Sequence, residues 1–388
     1  MAGIFVRLWR LCTTSALWRS YALRGGWSGL KGSFDFGVVV HGPEAVYSGE
    51  LRETIRLLEG MGSVRAVAGG TMCRAAIIDE GLEGEVDISV CDPPSVALSS
   101  LQARVLILVN HGKTLGSGIA FGDIVAGRVA RPVVQVERAF ADDGVVIAWG
   151  SPSSEEPGTA ERLSGHFHVG LKRMSPSPCL FYDTEGQRCR VVRCAIPGEP
   201  LFVNGTFIGI VKSPEVRIYE RQGKVCRVEG VEAKETGLAR LGICDIWSAM
   251  VKSGSLRERP VDACLLPVRD GAGKMAVIDH AAFASLDSVD RDTVCALTIG
   301  DDTTEVAGDV LARLGVRIIG ITDGDRDGVL TRPARARGSA IFRVRGMTDD
   351  EAGAALAKVV RGRDTFDGFV KRVKCELERM GVKYEAYQ

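Results

Sequence analysis

The chain has 388 residues, of which 45% are hydrophobic and 25% charged, and its 49 basic and 49 acidic side chains give a formal net charge of zero. This usage excludes collagen-like, coiled-coil and disordered chains, and the length calls for two or three domains. The neutrality is a sum of unlike parts: residues 1–34 hold Arg7, Arg10, Arg19, Arg24 and Lys31 and no acid, so the remainder is net acidic.

The basic head, residues 1–34, has the composition of an organellar transit peptide or an interfacial anchor. The favoured expectation is an upstream start codon, with the folded protein beginning near Gly37. Its arginines interrupt the apolar run at residues 4–23, so no segment offers the roughly 18 to 20 apolar residues that span a bilayer. Eleven cysteines, an odd number with no CxxC pair, suit thiols kept reduced in a cytoplasm. Cys189 with Cys194, and His166 with His168, lack the second half of a zinc site, and the two histidines read as strand residues.

From Phe36 onward, β-branched runs alternate with helical segments: GVVVH (37–41), VRAVA (64–68), VDISV (86–90), VLILVN (105–110) and PVVQVE (132–137). Leu51, Ile55, Leu58 and Met61 form one apolar stripe on a helix ending at Gly62. These βα units predict an α/β domain over 35–150, a doubly wound, mostly parallel sheet whose ligands lie outside the carboxyl ends of the strands. Residues 151–164, opening with SPSSEEPGT, read as a linker. A small β-rich segment is expected over 165–235, with hairpin turns at Asn204-Gly205 and Gln222-Gly223.

A second α/β domain, Rossmann-like or toprim-like, is expected over 236–388, starting with a helix at 236–253. Within it TVCALTI (293–299) is a buried strand, Asp302 and Glu305 suggest a capping box, and Val306, Val310, Leu311 and Leu314 form the inward stripe of a helix stopped by Gly315. VRIIGIT (316–322) is then the next parallel strand, reached by a right-handed crossover.

Two groups of residues carry chemistry. In the second domain the loop Asp323-Gly324-Asp325-Arg326-Asp327-Gly328 follows the apolar strand, and Gly300-Asp301 follows the strand before it. Asp301, Asp323, Asp325 and Asp327 are therefore expected to share a sheet edge and hold Mg²⁺ or Mn²⁺ through hard oxygens. An EF-hand is excluded because Ala334 stands where that loop needs a bidentate glutamate. Arg332, Arg335, Arg337, Arg343 and Arg345 follow, suited to a phosphate-bearing ligand. A solvated Asp-Gly turn and an arginine-rich edge are the alternative.

In the first domain, three strand ends bring together His41-Gly42-Pro43-Glu44, Gly69-Gly70-Thr71 and Asn110-His111-Gly112-Lys113. His41, Glu44, His111 and Lys113 are candidate catalytic groups, with Arg74 as an anion binder. Gly42, Gly69, Gly70, Gly112, Gly116 and Gly118 are candidates for close backbone approach to a cofactor. Gly-Lys-Thr at 112–114 lacks the first P-loop glycine, and the glycines from Gly116 to Gly122, with Glu137 ending the next strand, miss the dinucleotide spacing by one residue. Helix-packing glycines and imidazoles bonded to loop backbone are the structural alternative.

The stretch IIGITDGDRDG resembles the DxDxDG segment of toprim domains, in which acids on a sheet edge bind Mg²⁺. Those domains place a glutamate after the preceding strand, where this chain has Gly300 and Asp301. The phrases HGPEAVYSGE, GGTMCRAAIIDEGLE, NHGKTLGSGIAFG and ITDGDRDG are similar to those of an uncharacterised family found mainly in methanogenic archaea, domain of unknown function family 2117. That likeness covers nearly everything after residue 36 and implies a cytoplasmic archaeal protein without an assigned active site. Two functions are expected: a divalent-metal-dependent enzyme acting on a phosphorylated metabolite or nucleotide, or a non-catalytic protein sensing an anionic metabolite. Membrane partners are not expected; nucleic acid ranks below a small phosphorylated ligand, and a homo-oligomer is compatible with the sequence.

Overall fold

A computed structural model describes residues 33–89, 92–150, 156–177, 181–184, 186–254, 257, 263–280, 282, 285–324, 330 and 333–387. The chain divides into two compact units after Gly254.

The first unit opens with β1 (Phe34–His41), α1 (Glu44–Tyr47), α2 (Glu50–Glu59), β2 (Val64–Gly69), α3 (Thr71–Asp79), β3 (Val86–Asp87), α4 (Pro94–Ser100), β4 (Ala103–Asn110), α5 (Leu115–Ala126), β5 (Val133–Glu137), β6 (Val145–Trp149), α6 (Glu156–Phe167) and β7 (Gly170–Met174). The strands form one sheet in the order β3-β2-β1-β4-β5-β6-β7. Its first five members are parallel, β6 runs antiparallel to β5, and β7 is parallel to β6. The α/β expectation therefore stands, with an antiparallel turn at one side.

The chain runs from β1 outward to β2 and β3, then returns to β4 and runs outward to β5. Right-handed crossovers in opposite directions put α2 and α5 on opposite faces of the sheet. The packing agrees. Val39, Leu106 and Leu108 pack with Leu98 of α4 and Val125 of α5 in one cluster. Leu51, Ile55 and Leu58 of α2 are buried apart from it, each worth roughly 1.5–3 kcal/mol of apolar transfer.

Residues 156–164, expected in a linker, begin α6 instead, and Gly170–Met174, expected in the β-rich segment, extend the first sheet. His166 lies on this helix, its Nε2 2.9 Å from Glu53 Oε1, and is not a strand residue.

The remainder of the unit is β-rich: β8 (Phe181–Thr184), β9 (Gln187–Arg193), β10 (Pro200–Val203), β11 (Thr206–Val211), β12 (Glu215–Arg221), β13 (Lys224–Glu229), β14 (Val231–Ala233), α7 (Glu235–Arg240) and β15 (Val251–Ser253). Two four-stranded sheets, β14-β11-β10-β15 and β13-β12-β9-β8, enclose Leu201, Ile208, Val216 and Ile218. Both expected hairpin turns are present, with Asn204, Gly205, Gln222 and Gly223 all at positive φ, as two-residue turns between twisted strands require. The helix expected over 236–253 is only α7. Gly242 at φ 56° ends it, and the chain reaches β15 without further helix.

The second unit holds β16 (Gly273–Asp279), β17 (Thr293–Ile299), α8 (Asp301–Ala312), β18 (Arg317–Thr322), β19 (Ala340–Arg345), α9 (Asp349–Val359), β20 (Arg363–Asp364), α10 (Phe366–Arg379) and β21 (Lys383–Tyr387). Its sheet has the order β20-β16-β17-β18-β19-β21, parallel from β16 to β19 and antiparallel at both edges. One core joins Leu297, Ile319 and Phe342 of the sheet to Leu356, Phe369 and Leu377 of α9 and α10. The capping box expected at Asp302 and Glu305 is absent: Gly300 is the N-cap, with no side-chain cap, and Asp301 opens the helix. A buried ion triplet sits behind this edge, with Asp309 taking both terminal guanidinium nitrogens of Arg257 at 3.0 and 3.1 Å and Arg313 at 2.9 Å. Among the described residues, no helix is long and apolar enough to cross a membrane.

Candidate functional site

At the carboxyl edge of the first sheet, His41 closes β1 and is level with Gly69 of β2 and Asn110 of β4. Its Nδ1–H donates to Gly69 O at 2.8 Å, and its ring stacks on Phe121 of α5 at 4.2 Å. Burial, reinforced by the charge of Lys252, pushes its pKa down to about 4. His41 is thus a neutral imidazole whose Nε2 carries the lone pair.

His111 turns to the opposite face. Its Nδ1 lies 3.0 Å from both oxygens of Glu50, the fully buried first residue of α2, and Glu50 Oε1 also accepts Phe140 N at 3.0 Å. The bond to Glu50 is the main reason that the His111 pKa is raised above its usual value. On its outer side, Arg138 Nη1 stands 3.5 Å from His111 Nε2. The same nitrogen donates to Gly112 O at 2.6 Å and Lys113 O at 3.2 Å, while Arg138 Nε donates to Asp143 Oδ1 at 2.8 Å.

Glu137, at the end of β5, is completely buried and accepts from Asn110 Nδ2 at 2.7 Å, Gly112 N at 2.6 Å and Gln135 Nε2 at 2.7 Å. Burial pushes its pKa up to about 7 against those bonds. Gly118 and Gly122 of α5 lie so close to Glu137 and Gln135 that a methyl group at either would overlap them. These glycines bring a helix onto buried polar side chains.

The other expected residues are dispersed. Lys113 forms an ion pair with Glu199, just before β10. Glu44 and Arg74 are buried in α1 and α3. Gly112 packs on α5 at Gly118, Gly116 faces Cys194, Gly69 meets Pro94, and Gly42 faces open space. His41 and His111 do not converge, because they leave adjacent strand ends toward opposite helical layers.

The edge of the second sheet is acidic. Asp301 Oδ2 accepts Asp323 N at 3.1 Å and Gly324 N at 2.9 Å, tying the loop after β18 to the start of α8. Asp349, buried at the start of α9, joins them, and one oxygen from each of Asp301, Asp323 and Asp349 lies within 4.8 Å of the others. Asp325, Asp327 and Arg332 lie outside the described residues.

Beside this trio His280 Nδ1 is 2.6 Å from Asp279 Oδ1 and 3.4 Å from Asp350 Oδ1, and its Nε2 is buried against Gly300. A cleft of about 290 Å³ adjoins the acids, lined by Asp301, Glu305, Thr322, Arg335, Arg343 and Tyr387. The Arg343 guanidinium packs over Gly324, whose φ of 97° and missing side chain admit it. Arg345 is engaged with Glu385 at 2.7 Å, and Arg337 is exposed.

Sequence reasoning missed Asp349, Asp279, His280, Glu50 and Arg138. A signal existed for Asp349 alone: Thr348 and Glu351 form the capping box of α9, which a Thr-Asp-Asp-Glu run announces.

A family model described as an uncharacterized protein conserved in archaea (DUF2117) matches residues 38–364. An uncharacterized protein of the archaeon Methanocaldococcus jannaschii is 38% identical over 327 residues, which cover 83% of this chain and 90% of the relative.

Proposed function

The chain belongs to this uncharacterised archaeal family, and from its own residues we propose that the second unit uses a divalent cation, Mg²⁺ or Mn²⁺, to act on a phosphorylated metabolite or a nucleotide. The observation that carries this reading is the trio Asp301, Asp323 and Asp349, with oxygens within 4.8 Å of one another, beside a cleft walled by Arg335 and Arg343. Carboxylates from three elements supply hard oxygen ligands and leave coordination positions for water and phosphate oxygens. The arginines then offer charge-assisted bonds to the remaining phosphate oxygens, which carry the charge that develops during phosphoryl transfer. A toprim-like reading belongs to the same proposal. Acids after successive parallel strands support it, and Gly300 and Asp301 in place of the glutamate mark the departure.

The test is the melting temperature of the intact chain after EDTA, then with Mg²⁺ or Mn²⁺, then with a nucleotide panel, for the natural sequence and for Asp323→Asn and Asp349→Asn. Metal is expected to raise the natural chain's melting temperature and leave both variants unmoved. A metal effect equal in all three, or absent from all three, sinks the metal site. Release of inorganic phosphate from the panel distinguishes turnover from binding without catalysis.

A further inference from the structure

On one face of the second sheet α8 lies over β18, so close that a side chain at Gly320 would overlap Thr304. Gly320 is level with Ile341 of β19, Thr322 is level with Arg343, and Ile341 is level in turn with Tyr387 of β21. Ile341, Arg343 and Tyr387 therefore share the face that α8 occupies. The cleft of about 290 Å³ lies between the start of that helix and β21, with Pro333 and Arg335 also lining it. Along the strands its lining passes from charged to apolar. Asp301 and Asp323 stand at the carboxyl edge, Arg343 comes next, and Ile341 and Tyr387 lie two residues further in, roughly 6–7 Å on.

Arg343 makes no hydrogen bond or ion pair with any described residue, and its Nε is buried without an acceptor. Its cross-strand neighbour Glu385 accepts from Arg345 with one oxygen and from Tyr387 with the other. A guanidinium left unpaired beside so many carboxylates calls for an anion that the chain does not itself supply. Tyr387 is 47% exposed at the cleft, and its bond to Glu385 holds the ring along β21. The tyrosine of the same strand that serves the core is Tyr384, which meets Phe342 edge-on from the opposite face. Tyr387 instead presents an aromatic surface to whatever enters the cleft.

We propose that the ligand of this cleft is a nucleotide, its phosphates held by Arg343 at the acidic edge and its base stacked on Tyr387 beside Ile341. The proposal rests on the metal-assisted phosphate reading of the same edge and adds the class of molecule. The two residues between Arg343 and Tyr387 along the strands leave the span that a ribose bridges. The cleft is just smaller than the roughly 300–1,000 Å³ of most ligand pockets, which suits one nucleotide and not a polymer. Stacking on a single ring tolerates any base, because every base has a π-face.

Isothermal titration calorimetry on the intact chain, with Mg²⁺ present, compares adenosine triphosphate with inorganic tripolyphosphate, which keeps the phosphates and lacks the nucleoside. The nucleotide is expected to bind at least about fivefold more tightly. Tyr387→Ala is expected to remove that advantage and leave tripolyphosphate unmoved, and Tyr387→Phe, which keeps the ring, to restore it. Arg343→Gln is expected to weaken both ligands about tenfold or more. Tyr387 is exposed, so its variants test the proposal even if Arg343→Gln fails to fold. Equal affinity for the two ligands, or a nucleotide affinity that Tyr387→Ala leaves unchanged, overturns the nucleotide and leaves the phosphate reading standing. If Asp349→Asn does not change nucleotide affinity while Tyr387→Ala does, the metal reading fails and the nucleotide stands. Binding of neither ligand overturns both.

Discussion

At Gly70 in the first unit and at Gly300 in the second, a parallel strand passes into a helix through a glycine at large positive φ, 122° and 106°. In both units the neighbouring strand leads to a histidine beside that turn, His41 in one and His280 in the other. The polar groups around these like turns are arranged in opposite ways. In the first unit the acids, Glu50 and Glu137, are fully buried, and imidazole, lysine and arginine lie nearer the surface. In the second, Asp279, Asp301, Asp323 and Asp350 sit partly or wholly exposed at the rim around the buried Asp349, and the fully buried Asp309 is neutralised by two arginines away from it. One backbone device thus serves an edge whose cationic groups are each paired with an acid and an edge where acids cluster. What distinguishes them is whether each carboxylate is aimed into the protein, where it needs donors, or left at the rim, where it can meet a cation.

Removing Asp309 probes this contrast most severely. Asp309→Ala leaves Arg257 and Arg313 buried without their carboxylate and is expected to destabilise the second unit by about 3–5 kcal/mol in chemical denaturation. A loss under about 1 kcal/mol would mean that this acid is not held inside as the comparison requires.

The next effect is on pH dependence. Glu137, raised to about 7, keeps its proton in the folded state while the unfolded chain loses it, so its contribution falls as pH rises from the ordinary carboxylate range to about 7. His41, lowered to about 4, stays neutral when folded while the unfolded chain is protonated, so its contribution is full above pH 6.5 and is lost as pH falls to about 4. The two slopes oppose each other over nearly the same window, each worth about 3 kcal/mol in total. Stability of the first unit between pH 4.5 and 6.5 should therefore be nearly flat. Glu137→Gln should unmask a rise with pH, and His41→Asn a fall. Unchanged slopes in both variants would refute the assignment.

The acidic rim is sharpened by metal. At about one hundred times its dissociation constant a cation bound only by the folded state adds about 2.7 kcal/mol. Asp349→Asn should erase that gain while leaving the pH behaviour of Glu137 and His41 intact. The smallest change is Thr348→Ala, which removes the cap bonded to Glu351 N at 3.2 Å and should lower stability by about 1 kcal/mol. It should also loosen Asp349, seen as weaker metal stabilisation; full metal stabilisation in a destabilised variant would separate the cap from the site.

Much of this molecule is legible in local pattern. The β-branched runs at 37–41, 105–110 and 293–299, the stripe of Leu51, Ile55 and Leu58, and the two hairpin turns appear where periodicity and turn chemistry put them. Patterns that depend on packing are harder to read. The polar run at 151–159 hides a helix start because its inward residues, Ala160 and Leu163, come late. Residues 236–253 have helical composition, but Gly242, at φ 56°, turns the chain out of the helix.

The candidate sites divide in the same way. Asp301 and Asp323 are legible because both follow apolar parallel strands, whose carboxyl ends must share an edge. Asp349 joins them from a helix that starts after β19, and Glu50 reaches His111 from 61 residues away. By itself the sequence determined the parallel α/β character, the turns and which residues stand at strand ends, since these follow from local periodicity and backbone preference. Only the tertiary structure decided that His41 and His111 part toward opposite layers, that Gly118 makes room for Glu137, and that acids cluster at one edge while at the other they pair with cationic groups. The direction of a side chain beyond a strand end depends on which face the next crossover takes, and that is settled by packing between distant segments.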